Sequence, residues 1–166
     1  MAEDFAALAA RIQKLEDIEA IRNLRMEYHR CVNEGDLDVV GEIYTEDAHV
    51  EFEGVGMAKG RKDGGALVAH LARGLSFIKQ FITNHIVHVN GDEAEGVSYL
   101  DARYVFGGEA VIASAKYVEK YRRTSEGWKI SYMNAVTYFT VPFDKGWANP
   151  AGPAIQVPLR EHSEPA

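Results

Sequence analysis

Residues 15–38, LEDIEAIRNLRMEYHRCVNEGDLD, decide the fold class together with the segment that follows them, residues 42–54, EIYTEDAHVEFEG. In the first segment apolar side chains recur at spacings of three and four, which predicts an amphipathic helix. In the second segment apolar and polar residues alternate around Val50 and Phe52, which predicts a strand. The chain therefore changes from helical to extended patterning within these residues.

The boundaries of the early helices follow from the residues that flank them. We expect the first helix to end near Gly35, because glycine readily adopts the left-handed conformation at a helix C-terminus. Asp36 is expected to cap a short helix through Tyr44, and Asp63 to cap a third helix over residues 64–76. The apolar stripe of the first helix comprises Leu8, Ile12, Leu15, Ile18, Ile21 and Leu24, and it continues through Tyr28, Cys31 and Val32.

From residue 77 onward the apolar period changes to two, which predicts a series of strands. The strands are FIKQFITNHIVHV (77–89), VSYLDARYVF (97–106), AVIASAKYVEKYRRT (110–124) and WKISYMNAVTYFTV (128–141), joined by glycine-containing turns. Helices followed by hairpins predict an α+β protein. We expect a cone-shaped fold, in which N-terminal helices pack on a strongly curved antiparallel or mixed sheet and enclose one pocket.

Length and composition indicate one domain. The chain has 166 residues, of which 46% are apolar, enough for an ordinary core. Residues 1–141 form the expected α+β barrel domain, and residues 142–166 form a tail of the same domain that carries all five prolines. Phe143, Trp147 and Ile155 are apolar, so we expect part of this tail to dock on the protein surface.

Charge and cysteine content narrow the classes of partner. A net charge of −7 opposes binding to nucleic acid and to anionic lipid. The single cysteine, Cys31, allows no internal disulfide and fits the reducing cytoplasm. The N-terminus is not typical of a signal peptide, and no apolar run approaches the roughly 18 residues that span a bilayer. These features predict a cytoplasmic protein that binds neither nucleic acid nor membrane.

Four motifs resemble the SnoaL-like branch of the nuclear-transport-factor-2-like superfamily. They are IEAIRNLRMEYHRCVNEGDLD, IYTEDAHVEF, ITNHIVHVNGDEAEGVSYL and YRRTSEGWKI, within roughly residues 5–140. The resemblance implies the cone-shaped fold, a cofactor-independent lyase and a homo-oligomer, either a dimer or a trimer. The long C-terminal tail favours the trimer over the dimer. This fold also hosts isomerases, cyclases, hydrolases and pure binding proteins, so fold alone does not identify the activity.

The resemblance also implies candidate site residues. Tyr28 matches the tyrosine that family dehydratases place late in the first helix. Asn33 stands where those enzymes have an aspartate, and Gln80 stands where they have a histidine, four residues before Asn84. Two acid–base positions therefore carry amides, which can donate and accept hydrogen bonds but cannot titrate.

The two histidines of the first hairpin, His85 and His88, are three residues apart, so a regular strand places them on opposite faces. Regular alternation groups Gln80, Asn84 and His88 together and places His85 opposite, whereas a bulge between them reverses this arrangement. We take His85 as the catalytic candidate because it adjoins Asn84. The alternative is a structural or interfacial histidine.

Asp101 lies in the next strand and shares a face with Arg103. It is a candidate to orient His85 or to accept a proton. The alternative is an ion pair with Arg103 on the outer surface of the sheet. The register of the family dehydratases favours Ala102, its neighbour, at the inward position.

The sequence thus predicts a dehydratase-like lyase that acts by acid–base elimination on an aromatic, steroid-like or polyketide-like molecule. The alternatives are a carbon–carbon lyase that releases formaldehyde from a diaryl alcohol, and a non-catalytic binding module. No metal or cofactor is expected. The catalytic candidates are Tyr28, His85 and Asp101; the substrate-binding candidates are Asn33, Tyr44, Phe52, Gln80, Asn84 and Tyr117; the expected pocket walls also include Phe81 and Tyr138.

Overall fold

A computed structural model describes residues 2–148 of the chain, with side chains from residue 4 onward. Within these residues no helix is long and apolar enough to cross a membrane. The elements in chain order are α1 (Ala2–Glu34), a 3-10 helix (Val40–Ile43), β1 (Tyr44–Phe52), β2 (Gly56–Lys59), α2 (Arg61–Arg73), β3 (Phe77–Asn90), β4 (Glu93–Phe106), β5 (Glu109–Thr124) and β6 (Gly127–Pro142).

The six strands form one mixed sheet in the order β2-β1-β6-β5-β4-β3. All neighbouring pairs are antiparallel except β1 and β6, which are parallel. Helix α1 packs on β3 and β6, and α2 packs on β1 and β2, so both helices cover one face, called here the inner face. The sheet does not close, and the expected α+β cone is confirmed.

Helix α1 is buried over only part of its length. Ile21 is fully buried against the sheet, whereas every residue from 4 to 16 is exposed. The change comes at Asp17, whose carboxylate accepts hydrogen bonds from Arg123 at 2.7 Å and from Trp128 at 3.1 Å. Because these two residues lie at the β5–β6 hairpin, the sheet meets α1 no earlier than Asp17. The first apolar positions of the stripe therefore lack a partner within the described residues.

The end of α1 agrees with the sequence, but the next turn does not. Gly35 has a φ of +81°, which confirms the expected helix stop. The expectation that Asp36 caps a helix through Tyr44 is wrong, because only the short 3-10 helix forms and Tyr44 already begins β1. The Asp36 carboxylate instead accepts a hydrogen bond from Arg30 one turn back on α1. This bond ties the turn to the helix that it leaves.

Helix α2, which the sequence analysis expected as the third helix, begins earlier than expected. It packs very closely on the 3-10 helix. Asp63 lies within its first turn rather than at its cap, which is Gly60 with a φ of +91°. A Cβ on Gly65 would lie 2.7 Å from the Cα of Gly41. Only glycine permits this approach of the two backbones, which holds α2 against the start of β1.

A bulge in β3 decides which side chains reach the inner face. The register with β4 shifts between Thr83 and Ile86, and Asn84 has a φ of +52°. The extra residue reverses the alternation, so Gln80 before the bulge and His85 after it both lie on the inner face. The grouping of Gln80 with Asn84 and His88, expected from a regular strand, is therefore wrong.

Candidate functional site

Arg25 is the unexpected residue of the interior, because its guanidinium is fully buried. Its Cζ lies 4.4 Å from the ring centre of Tyr28 and 3.6 Å from that of Tyr117. Nη1 lies 3.2 Å from Oε1 of Glu119 and 3.5 Å from the sulfur of Met133. No atom of the described residues forms a hydrogen bond with its Nε or Nη2. One edge of the guanidinium is thus held by the protein, and the other edge retains its donors.

Arg25 and Glu119 form an ion pair with no solvent contact. Burial raises the pKa of the Glu119 carboxyl, while Arg25 and the Tyr121 hydroxyl oppose that rise. Burial is the largest single influence on Arg25 and disfavours its charge, but Glu119 together with Tyr117, Tyr28 and Tyr121 outweighs it and raises the pKa of the guanidinium. Removing one partner of such a pair leaves an unpaired buried charge and costs about 3–5 kcal/mol. The pair is therefore a fixed, charge-balanced element of the interior.

A chain of hydrogen bonds runs from this ion pair to His85. The Tyr121 hydroxyl donates to Oε2 of Glu119 at 2.7 Å, and Nε2 of His85 lies 3.0 Å from the same hydroxyl. Since Tyr121 has only one proton to donate, Nε2 of His85 must carry the hydrogen of the second bond. Burial, together with the charges of Arg25 and Arg22, lowers the pKa of His85 to about 4. His85 is therefore neutral at physiological pH, with its lone pair on Nδ1.

Gly96 on β4 makes room for the bond between His85 and Tyr121. A Cβ at this position would lie 3.0 Å from Cε2 of Tyr121 and 3.2 Å from Nε2 of His85. Any larger residue would push these two side chains apart. The close contact explains why glycine occupies a strand interior, where it otherwise weakens the sheet.

His29 on α1 presents a second neutral imidazole. Its Nδ1 lies 2.9 Å from Oε1 of Gln80. Because an amide oxygen only accepts, Nδ1 carries the proton and Nε2 carries the lone pair. Nε2 is buried and has no hydrogen-bond partner among the described residues. The ring meets those of Tyr28 and Tyr117 edge-on, with centres 4.8 and 5.7 Å apart. Burial and the charge of Arg25 lower the pKa of His29 well below its usual value.

Asn33 joins the end of α1 to β3. Its amide nitrogen donates to the carbonyl of Gln80 at 2.9 Å, and its amide oxygen accepts from the Gln80 backbone N–H at 2.7 Å. These two bonds place Gln80 beside α1, where its side chain reaches His29. Asn33 thus contacts the site through the backbone of Gln80, and Gln80 contacts it directly.

Three buried tyrosines surround Arg25: Tyr28, Tyr44 and Tyr117. Burial raises the pKa of each hydroxyl, so all three stay protonated as hydrogen-bond donors. Near Tyr117 the Arg25 charge and the Tyr28 hydroxyl oppose the rise. Arg25 lies over the face of the Tyr117 ring rather than in line with its hydroxyl. The Tyr44 hydroxyl instead lies 3.6 Å from the sulfur of Met133.

The structure does not bring Asp101 or Asn84 to this group. Asp101 lies on the outer face of β4, with Oδ2 3.5 Å from Nη2 of Arg103. Strand alternation directs its neighbour Ala102 inward, as the register of the family dehydratases suggested. Asn84 is exposed within the bulge of β3.

The expected aromatic walls divide between the two faces. Tyr44 and Tyr117 are fully buried, and Phe52 is partly buried against the core. Phe81 and Tyr138 are 50% and 49% exposed, so the expectation that they line the interior is wrong. Because β3 alternates regularly before its bulge, an inward Gln80 requires an outward Phe81, which lies near Arg103 instead.

Two sequence signals could have revealed residues that the sequence reasoning missed. Arg25 is four residues after Ile21 and three before Tyr28, so it lies on the buried stripe of α1. Glu119 alternates with Tyr117, so it shares the inward face of β5. A charged residue is rarely buried without a partner of opposite charge, so burial of both Arg25 and Glu119 predicts that they pair. The missed residues are Arg25, His29, Glu119 and Tyr121.

The structure also has two surface clefts, the second of which is lined in part by Gly96 and Glu119. One cleft, of about 390 Å³, lies at the surface between residues of the 3-10 helix and of α2. The other, of about 400 Å³, lies on the outer face of β3 to β5. Arg25, His29 and His85 line neither of them. Among the described residues, no group of three or more histidine, cysteine or acidic side chains could hold a metal ion.

Comparisons with known proteins agree with this fold. The profile of a family described as "SnoaL-like domain" matches residues 13–134. A search of curated protein sequences finds no match.

Solved structures resemble the chain over most of its length. A candidate scytalone dehydratase from Novosphingobium aromaticivorans has a TM-score of 0.71 at 19% identity, covering 84% of this chain and 95% of that one. A hexachlorocyclohexane dehydrochlorinase from Novosphingobium barchaimii has a TM-score of 0.69 at 24% identity, covering 84% and 93%. A candidate aromatic ring hydroxylase from N. aromaticivorans has a TM-score of 0.67 at 28% identity, covering 74% and 90%.

Proposed function

The chain belongs to the SnoaL-like domain family, and from that membership we propose that it is a lyase acting by acid–base elimination on a hydrophobic, ring-bearing small molecule. The observation that carries the proposal is the free Nε2 lone pair of His29, buried beside Arg25 and Tyr28. The names of two similar structures, a dehydratase and a dehydrochlorinase, denote eliminations.

His29 is the proposed base. Gln80 fixes the proton on Nδ1, so Nε2 is available to remove a proton from the carbon next to the leaving group. Once protonated, the ring lies close to the charge of Arg25, which lowers its pKa. That repulsion favours transfer of the proton onward, to a departing hydroxyl or, when a halide leaves as its anion, to solvent. The base then returns to its neutral form, and the products are an alkene with water, or an alkene with a halide ion and a proton.

His85 and Tyr28 are the proposed hydrogen-bond partners of the substrate. His85 is held in one tautomer by Tyr121, so Nδ1 accepts while Nε2 stays engaged. The Tyr28 hydroxyl keeps its proton because burial raises its pKa. It can donate to an oxygen that gains negative charge in the transition state. Asp101 has no part in this proposal, because it lies on the outer face.

Aromatic surfaces support a ring-bearing substrate. Tyr28, Tyr44 and Tyr117 are buried aromatic residues of the interior, and Phe52 packs at its margin. Aromatic side chains of this kind pack well against flat or cyclic skeletons. The name of a third similar structure, an aromatic ring hydroxylase, refers to such compounds.

The test is a substitution of His29 by glutamine, assayed against a panel of cyclic alcohols and chlorinated rings. We expect H29Q to fold and to lose about 10²–10⁴-fold in turnover, the usual contribution of a positioned general base. H88Q is the matched control, since His88 is exposed on the outer face and should retain full turnover.

Full turnover by folded H29Q would refute the assignment of His29 as the base. Absence of turnover by the wild-type protein on every compound would refute the elimination. In both experiments circular dichroism establishes that each variant is folded, so that lost activity is not mistaken for lost structure.

A binding protein without catalysis is the competing proposal. It is favoured by the amides at positions 33 and 80 and by the lowered pKa of His85, which leaves a weak base. The two proposals differ in pH dependence. An enzyme gives a rate profile set by a titrating group, whereas a binding protein gives affinity alone.

A further inference from the structure

The free edge of Arg25 is a pair of donor positions built into the interior. Nε and Nη2 are fully buried, and no described residue accepts a hydrogen bond from either. The ring faces of Tyr28 and Tyr117 confine the guanidinium plane at 4.4 and 3.6 Å. Buried donors in native proteins almost always have an acceptor. Neither surface cleft reaches Arg25, so an acceptor oxygen supplied by a ligand satisfies this edge only when the side chains packed on it move aside.

The charge around this edge is already balanced. Glu119 lies 3.2 Å from Nη1 and neutralises the guanidinium. His29 and His85 are neutral, because burial and Arg25 lower the pKa of each. Tyr121 keeps its proton, since burial and Glu119 raise its pKa. A carboxylate at the free edge would add one uncompensated negative charge to this interior, which is strongly unfavourable in a low dielectric.

We infer that the free Nε and Nη2 edge of Arg25 is a subsite for one uncharged acceptor oxygen, a ketone or hydroxyl, on a ring-bearing molecule. Glu119 determines the specificity of this subsite, because it cancels the charge that would otherwise attract a carboxylate. The inference deepens the proposed function, on which it rests in taking the interior as the ligand site.

The subsite is tested by the binding of three matched compounds in calorimetry: 2-acetylnaphthalene, 2-ethylnaphthalene and 2-naphthoate. They share one ring system and differ in a neutral acceptor, no acceptor and an anionic acceptor. We expect the ketone to bind about tenfold more tightly than the ethyl compound, the effect of one good hydrogen bond. The carboxylate should bind at least about tenfold more weakly than the ketone.

Glu119→Gln tests the role of the carboxylate. The glutamine oxygen can still accept from Tyr121, but it no longer neutralises Arg25. We expect E119Q to bind 2-naphthoate at least about tenfold more tightly than the wild type does, because the guanidinium charge is then unmatched. Glu95→Gln is the control, since it removes the same charge from an exposed outer-face residue and should leave the three affinities unchanged.

A double variant guards against loss of the fold in E119Q. Replacing both partners, R25M with E119M, removes the donors and the ion pair together, and apolar replacement of a buried pair is commonly tolerated. In this protein the ketone and the ethyl compound should bind equally. A ketone preference that persists in the double variant overturns the subsite.

The remaining outcomes also decide the inference. Equal binding of the ketone and the ethyl compound to the wild type overturns it, as does tighter binding of the carboxylate or no binding of any of the three. Failure of the proposed lyase is separate. Selective ketone binding without turnover by any assay leaves the subsite intact, and turnover without ketone selectivity leaves the lyase intact.

Discussion

Tyr28 combines a match to the family tyrosine with a position inside the observed site. Its ring packs on Arg25, and its hydroxyl stays protonated because burial raises its pKa. We expect Tyr28→Phe to fold normally and to lose about 10²–10⁴-fold in turnover, since it removes one acid or hydrogen-bond donor. Tyr138→Phe is the control, because Tyr138 is 49% exposed and does not line the interior. Steady-state kinetics of the two variants test this prediction. Unchanged kinetics in folded Tyr28→Phe would exclude the phenol from the chemistry.

The amides at positions 33 and 80 position an imidazole rather than act as an acid–base pair. The resemblance implies a histidine where Gln80 stands, and here Gln80 holds the imidazole of His29 at 2.9 Å. The imidazole thus comes from α1 rather than from β3. Asn33, at the aspartate position, bonds both backbone groups of Gln80 and so places it. These residues form an arrangement that differs from the histidine–aspartate pair of the family dehydratases.

At the scale of elements, Asp17 joins α1 to the β5–β6 hairpin. Hydrogen bonds from Arg123 and then from Trp128 and Gln13 lower the pKa of Asp17 below its ordinary value of 3.8, despite opposition from burial. We expect Asp17→Asn to lower the free energy of unfolding by about 1.5–3 kcal/mol at pH 6, the range for charged hydrogen bonds. Urea unfolding measures the difference, and Asp92→Asn is the control, since that carboxylate pairs with Arg123 but is exposed.

The pH dependence of this difference has a definite sign. A folded pKa below the unfolded value of 3.8 means that the contribution of Asp17 is complete above that value. It is lost as the pH falls below 3.8 through the folded pKa. The unfolding free energies of the wild type and Asp17→Asn should therefore converge between pH 6 and pH 2. A difference that stays constant over this range would contradict the assignment.

At the scale of the whole molecule, apolar side chains remain on the surface. On the outer face Phe81 and Ile86 are half exposed, and on α1 Phe5 and Leu15 are more exposed still. Exposed apolar patches mark contact regions in soluble proteins, and these residues are the candidates for such a patch. The homo-oligomer, with a trimer favoured over a dimer, stays a prediction. Light scattering should give a mass two or three times 18.4 kDa.

A charge on the outer face provides the sharper test of assembly. Tyr99, Val118 and Tyr132 are the expected contact residues, and Val118→Lys should shift the mass to that of one chain. Lys62→Glu, in the surface cleft beside α2, is the control and should leave the mass unchanged. A wild-type monomer at micromolar concentration would defeat the prediction.

The tail after Pro142 lies partly within the described residues. In that part, the ring of Trp147 stacks on that of Phe139, with ring centres 5.9 Å apart, whereas Ile155 lies outside the described residues.

The sequence by itself determined the change from helices to hairpins, the helix stop at Gly35 and the family, because these depend on neighbouring residues. Apolar periods of 3.6 and 2 distinguish helix from strand, and glycine marks positive φ in a turn. The α+β cone and the SnoaL-like family expected from these patterns are confirmed. Of the expected pocket aromatics, Tyr28, Tyr44 and Tyr117 are buried in the interior.

Only the tertiary structure decided the composition of the site. The bulge at Asn84, which turns His85 inward, depends on pairing with β4 and leaves no mark in the period of β3. Arg25 and Glu119 are each improbable at a buried position when considered alone. Their burial becomes favourable only when α1 packs across the sheet and brings the two charges within 3.2 Å. Electrostatic pairing is non-local, so a pattern read along one element cannot reveal it.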